Sequence, residues 1–255
     1  MNEQILGNPV RAYTSVSSIA GFAYSLAAYG LFLAAFTLFG VVVNGIWMPW
    51  ANADAGNVAV AVAINTLLVG SFALQHTIMA RASFKERWTK IVPASVERTT
   101  FVVVTSLLML GILFFWQPLP GTLWHVETPW LRNVLRGGFV AGFLGVVGSS
   151  FLINHFHLFG LQQTWRRLRG LAPADPVFRE PWAYRRVRHP MMTSVLVMVW
   201  SAPTMSASQA LMAGLFSAYA LVGVLFEERE LSEMHGADYN NYRERVRWRV
   251  IPGLY

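Results

Sequence analysis

The stretch YRRVRHPMMTSVLVMVWSAPTMSASQALMAGLFSAYALVGVLFEE, from Tyr184 to Glu228, decides the fold. It opens on a basic, proline-terminated segment, residues 184–190, and closes on the acidic pair Glu227 and Glu228. Between them the chain is apolar, with one interruption at residues 201–208. Arg185, Arg186 and Arg188 stand on one flank, and Arg229, Arg243, Arg245, Arg247 and Arg249 on the other. Basic residues collect on one side of a membrane, so both flanks belong to the same side. The apolar run must then cross an even number of times. A helical hairpin turning at residues 201–208 satisfies this, with a shorter first arm ending near Pro203.

Four longer apolar segments precede the hairpin, at residues 19–43, 58–80, 99–116 and 137–159. Each is near the ~20 residues that a helix needs to cross a bilayer. Helix is the expected element because backbone polar groups in lipid must be satisfied within the segment. The chain is 55% hydrophobic and 13% charged, which is the membrane class. Residues 1–17 are mostly polar, and the apolar run after them is too long for a signal peptide, so it reads as an uncleaved first span. Of 20 basic residues, only Arg132 and Arg136 fall on the outer side when the N-terminus, with Arg11, is cytoplasmic. Arg81, Lys85, Arg87, Lys90, Arg98, Arg166, Arg167, Arg169 and Arg179 all fall inside. Tryptophans agree: Trp47, Trp50, Trp116, Trp124 and Trp130 near the outer interface, Trp88, Trp165, Trp182 and Trp248 near the inner. The expected fold is all-α: a polytopic membrane helix bundle of four spanning helices plus the C-terminal hairpin. An amphipathic cytoplasmic tail helix follows Glu228 and ends at Pro252 and Gly253. Residues 1–255 read as one domain.

Polar residues inside spans are costly and mark function. Gln75 and His76 lie near the inner end of the second span, and Asn154, His155 and His157 near that of the fourth. Arg188, His189 and Pro190 open the hairpin at the same depth, and Glu227 and Glu228 close it. Four segments thus converge on one layer at the cytoplasmic leaflet, suited to a small charged cofactor. Each residue also has a plainer use. His76 can snorkel to headgroups, Gln75 and Asn65 can bond between helices, and Glu227 and Glu228 can pair with Arg188 or Arg229. Asn154 and His157, three apart, share a helix face, which leaves His155 on another. No histidine pair has a sharp metal-ligand spacing, no phosphate loop occurs, and the absence of cysteine excludes thiolate chemistry by the chain. The net charge of +7 fits anionic lipid rather than nucleic acid.

Arg188–His189–Pro190, the later pair Glu227 and Glu228, then Leu231, Gly236, Tyr239 and Tyr242, resemble the isoprenylcysteine carboxyl methyltransferase superfamily. Five further stretches resemble a narrower branch, the bacterial methanethiol S-methyltransferases. They are QHTIMAR at 75–81, VER at 96–98, FLINHF at 151–156, LFGL at 158–161 and APTM at 202–205. The resemblance implies an enzyme of the bacterial inner membrane that uses S-adenosylmethionine and a small thiol. It implies a cofactor-binding part at residues 184–255. There Tyr184, His189, Pro190, Met191 and Met192 wall the cofactor and Glu227 meets its polar end, with Arg188, Glu228 and Tyr239 in the same motif set. Met192 departs from the wider motif, which has tyrosine there. The wider family's carboxylate-reading arginine is missing near Gly223 and Val224, which suits a neutral acceptor. A thiol acceptor calls for a base among the layer residues His155, His157, His76, Asn154 and Gln75: His155 first, then His157, then His76. The rival expectations are a larger lipid or carboxylate acceptor, and a non-enzymatic subunit that handles haem or protons.

Overall fold

The computed structural model describes residues 16–50, 53–54, 56–174 and 180–255. Arg11, Arg179 and the polar stretch 1–15 lie outside the described residues. The protein is an all-α membrane bundle. Five helices are long and apolar enough to cross a bilayer: α1 (Val16–Val43), α2 (Val58–Ala80), α4 (Ala94–Phe115), α5 (Pro129–Ile153) and α9 (Ala207–Arg245). The second helix has the bounds expected from its apolar run. Short helices α3 (Ala82–Trp88), α6 (His155–Leu158), α7 (Leu161–Leu168) and α8 (Pro190–Trp200) complete the set, with a 3-10 turn at Trp182–Arg185.

Residues 201–208 do more than turn a hairpin. Strand β2 (Thr204–Ser206) pairs antiparallel with β1 (Thr122–His125), which follows α4. Trp124 Nε1 donates to the Ala202 carbonyl at 3.0 Å and Val126 N to that of Pro203 at 3.0 Å. This staple holds one end of the bundle, called here the sheet end. Helix α8, the first arm, has 11 residues and covers about 16 Å, roughly half a hydrocarbon core. It survives in lipid because α5 covers it. Gly138, Gly142 and Gly145 make a smooth stripe on α5, and a Cβ on Gly142 would come 2.6 Å from the Met198 backbone nitrogen. Small residues permit this backbone approach where no hydrophobic force drives helices together.

Two expectations about helix continuity are corrected. The fourth apolar segment does not run through to residue 159. Asn154 adopts extended φ and ends α5, and its side chain caps α6 by accepting from His157 N at 3.2 Å. Asn154 and His157 therefore share no helix face. The tail helix starts later than Glu228: α9 runs through both glutamates to Gly236, where φ is +52° and a side chain would be strained, and a second helical segment follows that kink. Trp50 and Trp116 also have a packing role. They are buried and pack ring to ring at 6.0 Å, inside a core with Phe39, Phe72, Met198 and Phe216. Asn65 is fully buried and exchanges two 2.8 Å hydrogen bonds with the Gln117 backbone, the interhelical use expected of such an amide.

Candidate functional site

At the end of the bundle opposite the sheet, the basic motif is zipped to the chain's last residues. Arg188 N donates to the Trp248 carbonyl at 2.9 Å and His189 N to that of Arg249 at 2.8 Å. Thr193 Oγ1 adds a bond to the Val250 carbonyl at 2.6 Å. Pro190 then starts α8 at a position where its missing N–H costs nothing. The Arg188 guanidinium is buried and consumed: Nε reaches Glu228 Oε1 at 2.6 Å, and one terminal nitrogen reaches the Val246 and Arg247 carbonyls at 2.7 and 3.0 Å. Arg249 Nε holds the other Glu228 oxygen at 3.0 Å. Glu228 and Arg188 thus form a buried tie between α9, the motif and the tail. Tyr239 and Tyr242 pack under the same tie with Val246, and the Tyr242 hydroxyl donates to the Tyr184 carbonyl at 2.7 Å.

Glu227 differs from its neighbour. Its side chain is 50% exposed, and His189 Nδ1 lies 3.4 Å from Oε2. His189 Nε2 faces Glu228 Oε1 at 3.3 Å, so each ring nitrogen has a carboxylate. Burial alone would lower the pKa of this imidazole. The hydrogen bonds and charges of Glu227 and Glu228 outweigh burial and raise it to about 9. His189 is therefore a cation at neutral pH, and Glu227 keeps an open face toward the surroundings. Met191 and Met192 follow at intermediate exposure on the first turn of α8.

The other layer residues divide into three groups. His155 is buried, and both its nitrogens are occupied: Nε2 by the Tyr29 hydroxyl and Nδ1 by Ser150 Oγ, each at 2.7 Å. Its ring stacks on Phe151 at 4.0 Å. These partners hold α6 against α1 and α5, and none belongs to the Glu227–His189 pair. Gln75 and Asn154 are similarly committed. Gln75 accepts from Thr105 Oγ1 at 3.2 Å and donates to Met79 Sδ at 3.1 Å. Asn154 caps α6 and donates to Gln162 at 2.9 Å. His157 lies within electrostatic reach of Arg98 and Lys85. Arg98 itself is fixed, its Nε donating to the Leu158 carbonyl at 2.7 Å and its guanidinium lying 4.6 Å from the Phe101 ring centre. Gly160 lets this α6–α7 corner sit on α4, because a Cβ there would come 2.8 Å from Thr99 N. The segments VER and LFGL are thus two halves of one joint.

Besides His189, His76 is the layer histidine that shares surroundings with Glu227. It lies within electrostatic reach of Glu227 and Arg98. Its Nδ1 pairs with the Tyr219 hydroxyl at 2.8 Å, and among the described residues Nε2 has no hydrogen-bond partner. The rings of Phe72, Phe101 and Tyr219 surround it at 5.7, 5.1 and 6.0 Å. Tyr219 is the site residue that sequence reasoning missed. Its signal was spacing: it precedes Glu227 by eight residues of α9, which sets the two about 80° apart around the helix.

The chain as a whole is similar to named relatives. Methanethiol S-methyltransferase 1 of Bradyrhizobium diazoefficiens is 40% identical over 88% of this chain and 80% of its own. The methanethiol S-methyltransferase of a Pseudomonas species is 38% identical over 92% of both chains. That of Mycobacterium tuberculosis is 39% identical over 88% of this chain and 92% of its own. The protein is therefore an integral membrane methyltransferase. No family model and no solved structure matches it. With relatives at this identity along most of its length, the chain belongs to the methanethiol S-methyltransferase family.

Proposed function

We propose that this chain methylates methanethiol to dimethyl sulfide with S-adenosylmethionine as donor, at the His189–Glu227–His76 end of the bundle. The open Glu227 carboxylate beside the buried His189 cation carries the reading. Its residues fit the donor: a half-exposed anion suits a ligand cationic at its ammonium and sulfonium, and α8 supplies apolar walls at Met191 and Met192. When bound, the donor supplies its sulfonium methyl; the acceptor sulfur forms the new C–S bond as the old one breaks, its electron pair staying on the donor sulfur. Residues 184–255 hold this donor. Arg188, Glu228 and Tyr239 contribute by fixing the motif rather than by contact.

The acceptor must become thiolate. A free cysteine thiol has a pKa of about 8.5. His76 takes the proton at Nε2 in the tautomer whose Nδ1–H donates to the Tyr219 oxygen, 2.8 Å away. His155 does not serve, because Tyr29 and Ser150 already use both nitrogens.

Cells expressing the gene and fed methanethiol should release dimethyl sulfide into the headspace. In the purified protein, Glu227→Gln should weaken S-adenosylmethionine binding about tenfold or more by calorimetry and leave the protein folded. Wild-type affinity in that variant, or a lipid or carboxylate acceptor outcompeting methanethiol, would overturn the reading.

The basic-loop asymmetry supports placement in the bacterial inner membrane with both termini and the site on the cytoplasmic side. Reporter fusions after Trp124 should score external and fusions after Gly170 internal. An external signal at Gly170 would reverse the orientation.

A further inference from the structure

Helices α2 and α9 run side by side, and their seam can be followed contact by contact. Toward the sheet end, Phe72 meets Phe216 with ring centres 5.6 Å apart. One turn further, His76 Nδ1 meets the Tyr219 hydroxyl at 2.8 Å. Near the site end, the Arg81 guanidinium lies 5.3 Å from the Phe226 ring centre, and Ala82 N donates to Glu230 Oε1 at 2.9 Å. On α9 this is a stripe of residues three, seven and four apart. Its one long step, from Tyr219 to Phe226, skips a turn, and Gly223 occupies that turn.

The seam is open there. A Cβ built on Gly223 would meet only the Tyr219 ring, at 3.8 Å. Among the described residues, no atom of α2 comes within 4 Å of that point. Above the gap stands the His76–Tyr219 pair, and one turn below Gly223 stands Glu227. Glycine weakens a helix interior relative to alanine, so its place here is not explained by helix stability.

We propose that the gap at Gly223 is the acceptor-thiol subsite, and that its missing side chain sets acceptor size. The inference rests on the reading of this chain as a thiol methyltransferase. A thiol in the gap has apolar walls, the Tyr219 ring at one side and the glycine backbone beneath. Its sulfur lies between a proton acceptor, His76 Nε2, and the end of the bundle where Glu227 holds the donor. The S–H proton goes to Nε2 and the bonding pair stays on sulfur. A larger acceptor meets Tyr219 on one side and the Arg81–Phe226 contact on the other.

The test fills the gap in steps, using Gly223→Ala and Gly223→Leu in the detergent-solubilised full chain. Gly223→Leu should lower kcat/KM for methanethiol by about 100-fold, and Gly223→Ala by a few-fold, mainly through KM. Calorimetric binding of S-adenosylmethionine should be unchanged in both. Saturation-transfer NMR to the methyl protons of methanethiol, without donor, should weaken in the same order. Gly214→Leu is the control: it is equally open but lies on the opposite face of α9, nine residues away, and should keep full activity. Gly223→Ala favours the helix and should raise the melting temperature, so it carries the test if the leucine variant fails to fold. Unchanged kcat/KM and an unchanged NMR signal in the variants that fold would overturn the subsite. A wild-type protein that makes no dimethyl sulfide would instead overturn the methyltransferase reading, and the NMR signal would still judge the gap.

Discussion

Replacing His76 with alanine is expected to slow dimethyl sulfide formation at neutral pH by about 10²–10⁴-fold, the usual scale of general base catalysis. The expectation follows from one asymmetry between two histidines. His155 has both nitrogens bonded, while His76 has Nδ1 fixed by Tyr219 and Nε2 open in an aromatic box. The sign of the pH effect separates a base from a packing residue. As pH rises toward the thiol's own pKa, thiolate forms without help, so the variant should recover much of its rate. S-adenosylmethionine binding should barely change. Tyr219→Phe should lose less than His76→Ala, because it frees the tautomer without removing the base. His155→Ala should appear in the melting temperature instead, with no pH-dependent recovery. If His76→Ala keeps near-normal turnover from pH 6 to 9, thiolate must form by burial beside the donor's positive charge alone.

Arg188→Ala is expected to destabilise the protein by about 3–5 kcal/mol, the range for breaking a buried ion pair from one side. The variant leaves Glu228, which is 4% exposed, with Arg249 and His189 as its remaining partners, which puts the loss at the lower end of that range, and it takes the donor from the Val246 and Arg247 carbonyls. Thermal unfolding in detergent measures this, and donor binding should fall with it because the motif loses its anchor. Arg188→Lys should rescue poorly, since an ammonium cannot span a carboxylate and two carbonyls in one plane. The same tie makes stability depend on pH. His189 has its pKa raised to about 9, so its contribution is full below about pH 6.5 and is lost as pH rises through 9. The wild-type melting temperature should therefore fall between pH 7 and 9.5. A wild-type melting temperature in Arg188→Ala would remove the tie from the account of the fold.

The candidate site is legible in part. His189 and Glu227 come together as candidates from their equal depth at the two ends of one hairpin, which needs only helix length and the positions of charge. Glu228 was placed beside Glu227 as a cofactor contact, yet adjacent residues on a helix point about 100° apart. One therefore turns into the tie with Arg188 and Arg249, and the other faces out. The sequence sets His155 above His76 because His76, close to Arg81, can snorkel to headgroups, while depth is the same for both. Depth does not say which side of the bundle a ring faces, and Tyr29 and Ser150 come from α1 and α5, far from His155 or adjacent across a helix break.

By itself the sequence determined the membrane class, the long apolar spans and the hairpin, because each depends on local properties: apolar length, charge on the flanks, a proline between two apolar arms. It determined α2 to the residue for the same reason. Only the tertiary structure decided where α5 breaks, since Asn154 ends a helix by capping the next and composition there remains apolar. Only it decided that residues 246–250 pair with the R-H-P motif, and that Tyr219 meets His76 across a seam. Those are contacts between segments 57 to 143 residues apart, and no periodicity within either segment encodes its partner.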